Sequence, residues 1–191
     1  NKTVLHYACE SGNKDLVEYL ISLDQIDINC KDEKNKSILN FACESENYEL
    51  LKYLISLKKI DVNSIDENGK TLLHYLCESE NLEIIKYINS LEAIKFDCKD
   101  NEGKTLLHYA CQLKSIDLFY YLVSINKIDL LSKDNKDETL LHASTDGYPN
   151  LSIIQYLVEN SKINLNDKNN DQLTPFLKVI KENSDINVIK Y

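Results

Sequence analysis

Apolar residues in this chain of 191 residues follow a short pattern of polar turns and apolar stripes. A polar run at 66–70, which carries a glycine, is followed by Leu73, Leu76 and Cys77. Their i, i+3, i+4 spacing puts them on one face of a helix of about two turns. A second stripe with helical spacing follows at Ile84, Ile85, Ile88 and Leu91. The pattern predicts the order turn, helix, turn, helix, loop.

The residues at the ends of these stripes support the same order. Thr71 stands where its hydroxyl can accept from an N–H of the first helical turn, so we expect it to cap the first helix. Glu80 and Asn81 interrupt the apolar pattern between the two helices. We expect Ile94 and Phe96 to be buried anchors of the loop that follows the second helix.

This unit recurs along the chain. Copies of its first-helix segment start at residues 3, 37, 71, 105 and 139, with a period of 34, and the sixth starts at 174, after 35. A two-helix hairpin this small cannot bury both of its stripes alone, so it must stack on its neighbours. We predict a single domain over 1–191 whose repeats span approximately 1–31, 32–65, 66–99, 100–133, 134–168 and 169–191.

The repeat carries a specific motif, Asp-x-x-Gly-x-Thr-x-Leu-His, which is complete in 66–74 and 100–108. It resembles the ankyrin repeat, whose signature is Thr-Pro-Leu-His-x-Ala. Tetratricopeptide repeats share the period of 34, but they need a tryptophan-like anchor, and this chain has no Trp. The resemblance implies an all-α fold: an ankyrin-repeat solenoid of stacked helix-turn-helix units with short β-hairpin-like turns.

The chain departs from the family pattern at several positions. The motif proline is replaced everywhere except at Pro175, and Asn40 and Leu177 stand in place of the histidine. The Gly-Ala that usually follows the second helix is missing. A segment one residue longer, such as 57–63, stands in its place and accounts for a period of 34 rather than 33.

Charge and hydropathy exclude two classes of partner. The net charge of −9 argues against nucleic acid, because phosphate contacts need clustered Lys and Arg. No apolar run reaches 18 residues, so we expect no membrane insertion. We also expect no cofactor and no metal.

The number of cysteines suggests a reactive or metal-binding set, but their spacing indicates side chains that pack in the core. Cys9, Cys43, Cys77 and Cys111 recur every 34 residues, Cys30 and Cys98 share a second repeat position, and no C-x-x-C pair occurs. Zinc sites usually pair ligands two to four residues apart. We interpret the cysteines as small buried side chains with unpaired thiols. Such thiols fit a reducing compartment, so we expect a cytoplasmic or nuclear protein.

Histidine and aspartate are also copied along the repeats, at His6, His74, His108 and His142 and at Asp32, Asp66, Asp100 and Asp134. A catalytic pair would be unique, so we expect no enzyme. The resemblance implies that the histidine hydrogen-bonds between adjacent turns. We expect the aspartate to bond the backbone of its turn.

Partner contacts in ankyrin proteins come from the turn tips and the ends of the first helices, which line a concave groove. In this chain those zones hold a basic row, an acidic row, turn-tip residues and a break in the pattern. At the break an apolar residue follows Gln112, and the next repeat has a longer loop between its helices. The predicted partner-binding residues are Lys36, Lys70, Lys104, Glu44, Glu78, Asn68, Glu102, Gln112, Leu113 and Tyr148.

We therefore expect a non-catalytic protein-binding module that holds another protein or an extended peptide in its groove, as a monomer. Two alternatives stay open. The chain could be the targeting or substrate-recruiting fragment of a larger enzyme or effector, because neither end carries the polar capping unit that repeat stacks need. It could also be a mechanical spacer without a specific partner.

Overall fold

A computed structural model of the protein describes residues 1–23, 25–91, 94–146, 150–160 and 162–181. The chain divides into two compact units, Asn1–Lys95 and Phe96–Tyr191. Each unit is described by itself, and the assignment of 1–191 to one domain stays a prediction.

The first unit contains three helix pairs within its described residues. In each pair a helix of seven residues is followed by one of eight or nine. The first helices stack, α1 on α3 and α3 on α5, and each also packs against the second helix of its own repeat. The helices are α1 Val4–Glu10, α2 Lys14–Ser22, α3 Ile38–Glu44, α4 Tyr48–Ser56, α5 Leu72–Glu78 and α6 Leu82–Asn89.

The second unit repeats this arrangement. Helix α7 packs on α8 and α9, and α9 packs on α10 and α11. The helices are α7 Leu106–Leu113, α8 Ile116–Ser124, α9 Leu140–Ser144, α10 Leu151–Asn160 and α11 Pro175–Lys181. The described residues of both units hold isolated β-bridges but no strand, for example Lys31 with Ser37 and Lys99 with Thr105. The predicted all-α fold with hairpin-like turns is confirmed.

The first helices begin at a threonine or serine, as predicted for Thr71. In α5 the Nδ1 atom of His74 accepts from the Thr71 N–H at 3.1 Å and lies 3.0 Å from the Thr71 hydroxyl. This is a capping box in which histidine takes the place usually held by Glu or Gln. The motif residues Thr and His therefore start the helix together.

The break between the helices is a single left-handed residue. Glu80 has φ 52°, and Asn81 then caps α6 by accepting from the Ile84 N–H at 2.9 Å. Gly12 holds the equivalent place in the first repeat with φ 67°, where a glycine avoids the cost of a left-handed side chain.

The apolar stripes form the core, as the spacing predicts. Leu73, Leu76 and Cys77 are buried, and the loop anchors Ile94 and Phe96 are 7% and 2% exposed. The cysteines divide into two groups. The four on the first helices are buried, whereas Cys30 and Cys98 are only half-buried. The interpretation as a buried side chain therefore fails for these two, because they lie in the loops after the second helices rather than on a packed stripe.

Candidate partner-binding surface

The turn tips are built around the repeated aspartate. The Oδ1 atom of Asp66 accepts from the N–H groups of Asn68 and Lys70, each at 2.8 Å. The N–H of Glu67 donates to the Lys34 carbonyl at 2.8 Å and joins two successive turns. The prediction that this aspartate bonds its turn backbone is confirmed. It also means that the turn tips present their side chains from a fixed backbone.

In the first unit the predicted basic and acidic rows contact each other. The Lys36 Nζ atom lies 2.5 Å from Glu44 Oε1, and Lys70 Nζ lies 2.5 Å from Glu78 Oε1. The first repeat has the same ion pair between Lys2 and Glu10 at 2.7 Å. We call these pairs the lysine–glutamate row. Their charges are matched within each repeat, so the row carries little net charge.

Aromatic rings lie beside the lysines of this row. The Lys36 Nζ atom is 5.3 Å from the ring centroid of Tyr75, and Lys2 Nζ is 4.5 Å from that of Phe41. Both distances are within the range of a cation–π interaction. Lys2 and Lys36 thus each contact their own repeat through a carboxylate and the next repeat through a ring.

The row changes in the second unit because Gln112 replaces the glutamate at the end of the first helix. Lys104 pairs instead with Glu102 of the turn tip, at 2.8 Å. The Gln112 amide donates to Asp146 Oδ2 at 3.2 Å. Glu102 is exposed, as is Asn68 in the first unit.

A buried charge cluster follows, which the sequence interpretation missed. The Lys178 Nζ atom lies 2.8 Å from Glu138 Oε1 and 2.5 Å from Asp146 Oδ1. Asn169 also donates to Glu138 Oε1, at 3.1 Å. The side chains of Lys178 and Glu138 are only 8% and 11% exposed. The side chain of Asp146 is 32% exposed. We call Lys178, Glu138 and Asp146 the triad.

The pKa shifts of Lys178 and Glu138 follow from this contact. Burial alone would lower the pKa of Lys178, but its bonds to Asp146 and Glu138 outweigh burial and raise it. Burial would likewise raise the pKa of Glu138, and the hydrogen bond and charge of Lys178 lower it instead. Lys178 and Glu138 therefore hold each other in their charged forms.

Leu113 is the apolar residue at the break, and it is 36% exposed. Helix α7 has eight residues, whereas α1, α3 and α5 have seven, so Leu113 extends the helix by one position. Ile116 at the start of α8 is also exposed. Tyr148, the other predicted apolar contact, lies outside the described residues.

Two of the repeated histidines join adjacent turns through hydrogen bonds. The Nε2 atom of His108 lies 3.3 Å from the Glu138 carbonyl, and that of His142 lies 3.0 Å from the Leu173 carbonyl. These contacts confirm the predicted bond between adjacent turns for His108 and His142. In the first repeat, the buried Nε2 atom of His6 has no hydrogen-bond partner among the described residues. Because Nδ1 accepts from the capping threonine, Nε2 carries the proton. Burial lowers the pKa of the His108 and His142 rings, which keeps them neutral.

The cysteines of the first helices are also held in the core. Burial raises the pKa of the Cys9 and Cys43 thiols to about 12, so they are poor nucleophiles near neutral pH. No group of His, Cys, Asp and Glu among the described residues is arranged to hold a metal ion. In the same part of the chain, no helix is long and apolar enough to span a bilayer.

Comparison with known proteins identifies the family. A model of ankyrin repeats (three copies) matches residues 1–66 and 39–134, and the chain belongs to the ankyrin repeat family. No curated protein matches the chain. Ankyrin repeats are generally protein-binding modules and are typically non-catalytic.

A solved structure has the same fold. One chain of the Bd0816 predatory endopeptidase from Bdellovibrio bacteriovorus in complex with immunity protein Bd3460 superposes with a TM-score of 0.79 at 24% identity. The match covers 96% of this chain and 93% of that chain.

Proposed function

We propose that this protein is a non-catalytic binding module that holds another protein or an extended peptide on its turn tips and first-helix ends. Ankyrin repeats generally bind proteins, and the fixed turn backbones support the same role. A rigid surface loses little conformational entropy when it binds. Cysteines without disulfide bonds, as expected from the sequence, support a reducing compartment, the cytoplasm or the nucleus.

The observation that carries this proposal is the exposure of Leu113 at the end of α7, where Gln112 breaks the lysine–glutamate row. Matched charge pairs offer a partner little net energy, because binding must first desolvate both groups. An exposed leucine on a rigid helix gains about 25 cal/mol for each Å² of apolar surface that a partner covers. Leu113 is thus the best candidate for an energetic centre, and the surrounding charges set register and on-rate.

A photo-crosslinking experiment tests where a partner binds. We would place the photoreactive residue p-benzoylphenylalanine at position 113 and, in a matched variant, at position 86 on the outer helix α6. Lys86 forms an exposed pair with Glu83 at 3.0 Å, so its replacement leaves the core intact. We expect one partner to be crosslinked from position 113 and not from position 86. No specific product at either position would favour a spacer.

The partner so found allows a quantitative test. Leu113→Glu should weaken the complex by more than about 1 kcal/mol and leave the melting curve almost unchanged. Lys70→Glu with Lys104→Glu should mainly slow association. The control is Lys52→Glu with Lys86→Glu on the outer helices. Loss of binding in this control alone would show that the proposed face is wrong.

A further inference from the structure

The segment 57–63, which is one residue longer than the family pattern, forms one wall of a cavity in the first unit. It supplies Lys58, Ile60 and Val62 to the lining. The remaining walls come from the ends of α4 and α6 and from the loop after α6. The cavity has a volume of about 630 Å³, which lies within the range of small-molecule sites.

The walls of this cavity are mainly aliphatic. The wall residues Ile60 and Ile94 are each only 7% exposed, so the core holds them in place and the shape of the cavity is preformed. An apolar ligand that displaces water from such walls is favoured by the hydrophobic effect. The aliphatic lining residues are Ile55, Ile60, Val62, Leu91 and Ile94.

The serine hydroxyls that line the cavity are already used by the helix ends. Ser56 Oγ donates to the Tyr53 carbonyl at 2.7 Å, and Ser90 Oγ donates to the Tyr87 carbonyl at 2.6 Å. These carbonyls therefore do not need a donor from a ligand. This arrangement argues against a ligand that binds through several hydrogen-bond donors.

Lys58 carries the one formal charge among the described residues that line the cavity. The lysine is exposed, and no carboxylate accompanies it in the described part of the lining. An ammonium beside apolar walls is complementary to a ligand that combines an apolar body with one negative charge.

The backbone at Lys58 indicates that the turn itself does not favour a lysine. Lys58 has φ 54°, and Asn126, which holds the equivalent place in the fourth repeat, has φ 50°. Asparagine adopts this left-handed conformation at lower cost than a long side chain. The lysine is therefore better explained by what its ammonium contacts than by the turn.

We propose that this cavity binds a free fatty acid of medium chain length, with the alkyl chain on the aliphatic walls and the carboxylate beside the Lys58 ammonium. An aspartate or glutamate side chain of a protein partner has the charge but lacks the apolar chain that the walls require. The site shares no residue with the surface around Leu113, so this inference goes beyond the proposed function and does not depend on it.

The test compares four small probes at pH 7: octanoate, hexanoate, octan-1-ol and octylammonium. Each is titrated into the ¹⁵N-labelled full chain, and the amide signals of Ile55, Ile60 and Ile94 are followed. Octanoate should bind about ten-fold more tightly than hexanoate, because it buries two more methylene groups. It should bind about five-fold more tightly than octan-1-ol, the upper ratio for an exposed ion pair. Equal binding of the two acids, tighter binding of octylammonium, or no binding would overturn the proposal.

Two substitutions locate the charge that is recognised. Lys58→Asn removes the ammonium and keeps a residue that tolerates the left-handed turn, and it should bring octanoate down to the affinity of octan-1-ol. Lys59→Asn is the matched control, because this neighbouring lysine is exposed and is not among the lining residues. It should leave octanoate binding unchanged. An equal loss in both variants would mean that octanoate responds only to the net charge of the surface.

A third variant fills the cavity. Val62→Phe enlarges a half-buried side chain of the wall and should abolish binding of octanoate and octan-1-ol together. Unchanged binding in a folded Val62→Phe protein would place the ligand elsewhere and overturn the proposal. If this variant does not fold, the comparison of Lys58→Asn with Lys59→Asn still decides.

Discussion

The two units use the same repeat positions in opposite ways. In the first unit the residue before the helix cap is a lysine and the helix end is a glutamate, and the two form exposed pairs such as Lys36 with Glu44. In the fifth repeat these positions hold Glu138 and Asp146, and the cation is Lys178 of the following repeat. One arrangement lies within a repeat at the surface, and the other joins two repeats and is buried.

This difference separates charges that stabilise the fold from charges that do not. An exposed ion pair contributes about 0–1 kcal/mol, since water already solvates both groups. A buried pair is costly to break, because removal of one partner leaves the other charge without solvation. We therefore expect the second unit to depend on one lysine and the first to depend on none of its lysines.

The largest expected effect is that of Lys178→Met. The substitution keeps the length of the side chain and removes the charge that Glu138 and Asp146 share. It should lower the free energy of unfolding by about 3–5 kcal/mol, measured by urea denaturation at neutral pH. Lys36→Met in the first unit is the matched control and should cost about 1 kcal/mol or less.

The pH dependence of this effect gives a second readout. The pKa of Glu138 is lowered in the folded protein from its ordinary value of 4.5. The stabilisation by this carboxylate is therefore present above pH 4.5 and is lost as the pH falls through the lower pKa of the folded state. Without Lys178, burial would be opposed mainly by the Asn169 hydrogen bond, and we expect the pKa of Glu138 to rise. Acidification should then stabilise Lys178→Met relative to the wild type. A parallel pH profile for the two proteins would contradict the triad.

Sequence reasoning reached the fold because the repeat encodes it locally. The stripe at Leu73 and Leu76, the cap at Thr71 and the break at Glu80 are each determined by neighbours within a few residues. The triad depends on Lys178 and Glu138, which are 40 residues apart and lie in two degenerate repeats. At position 138 a glutamate replaces the lysine of the earlier repeats, and this change is the sequence signal for the triad. A search for repeated features overlooks it.

The lysine–glutamate pairing was missed for a related reason. Lys36 and Glu44 are eight residues apart, which is not a helical contact spacing, so the sequence predicts two neighbouring rows but not the pairing between them. Their contact depends on how the turn folds back over the helix end. The predicted binding role of Lys36, Lys70, Lys104 and their neighbours stays a prediction.

A smaller effect is expected at the motif histidine. Asn40 occupies this place in the second repeat, and its Oδ1 atom accepts from the Ser37 N–H at 2.8 Å. The helix cap is therefore kept in this repeat, although asparagine is shorter than histidine and has no second ring nitrogen. His108→Asn should likewise keep the cap but lose the contact with the Glu138 carbonyl, and should cost about 1 kcal/mol in urea denaturation.

Histidine also makes this contribution pH-dependent. Burial lowers the pKa of His108 below 6.5, so the unfolded chain binds a proton more readily, and stability falls as the pH drops below 6.5. The His108→Asn protein should lose less stability than the wild type between pH 6.5 and its acid transition. If the two lose it equally, the ring is not held neutral by burial.

The smallest effect, and the strictest test of the contrast between the units, is the coupling of Lys36 with Glu44. A double-mutant cycle with Lys36→Met and Glu44→Gln isolates their interaction from the contact of Lys36 with Tyr75, which is lost in both backgrounds. We expect a coupling below about 1 kcal/mol, further reduced when salt screens the pair. The same cycle with Lys178→Met and Glu138→Gln should give a larger coupling that salt changes little, since these two side chains are buried. Equal couplings would mean that burial does not separate the two arrangements, and the positions would then differ only in which repeat supplies the lysine.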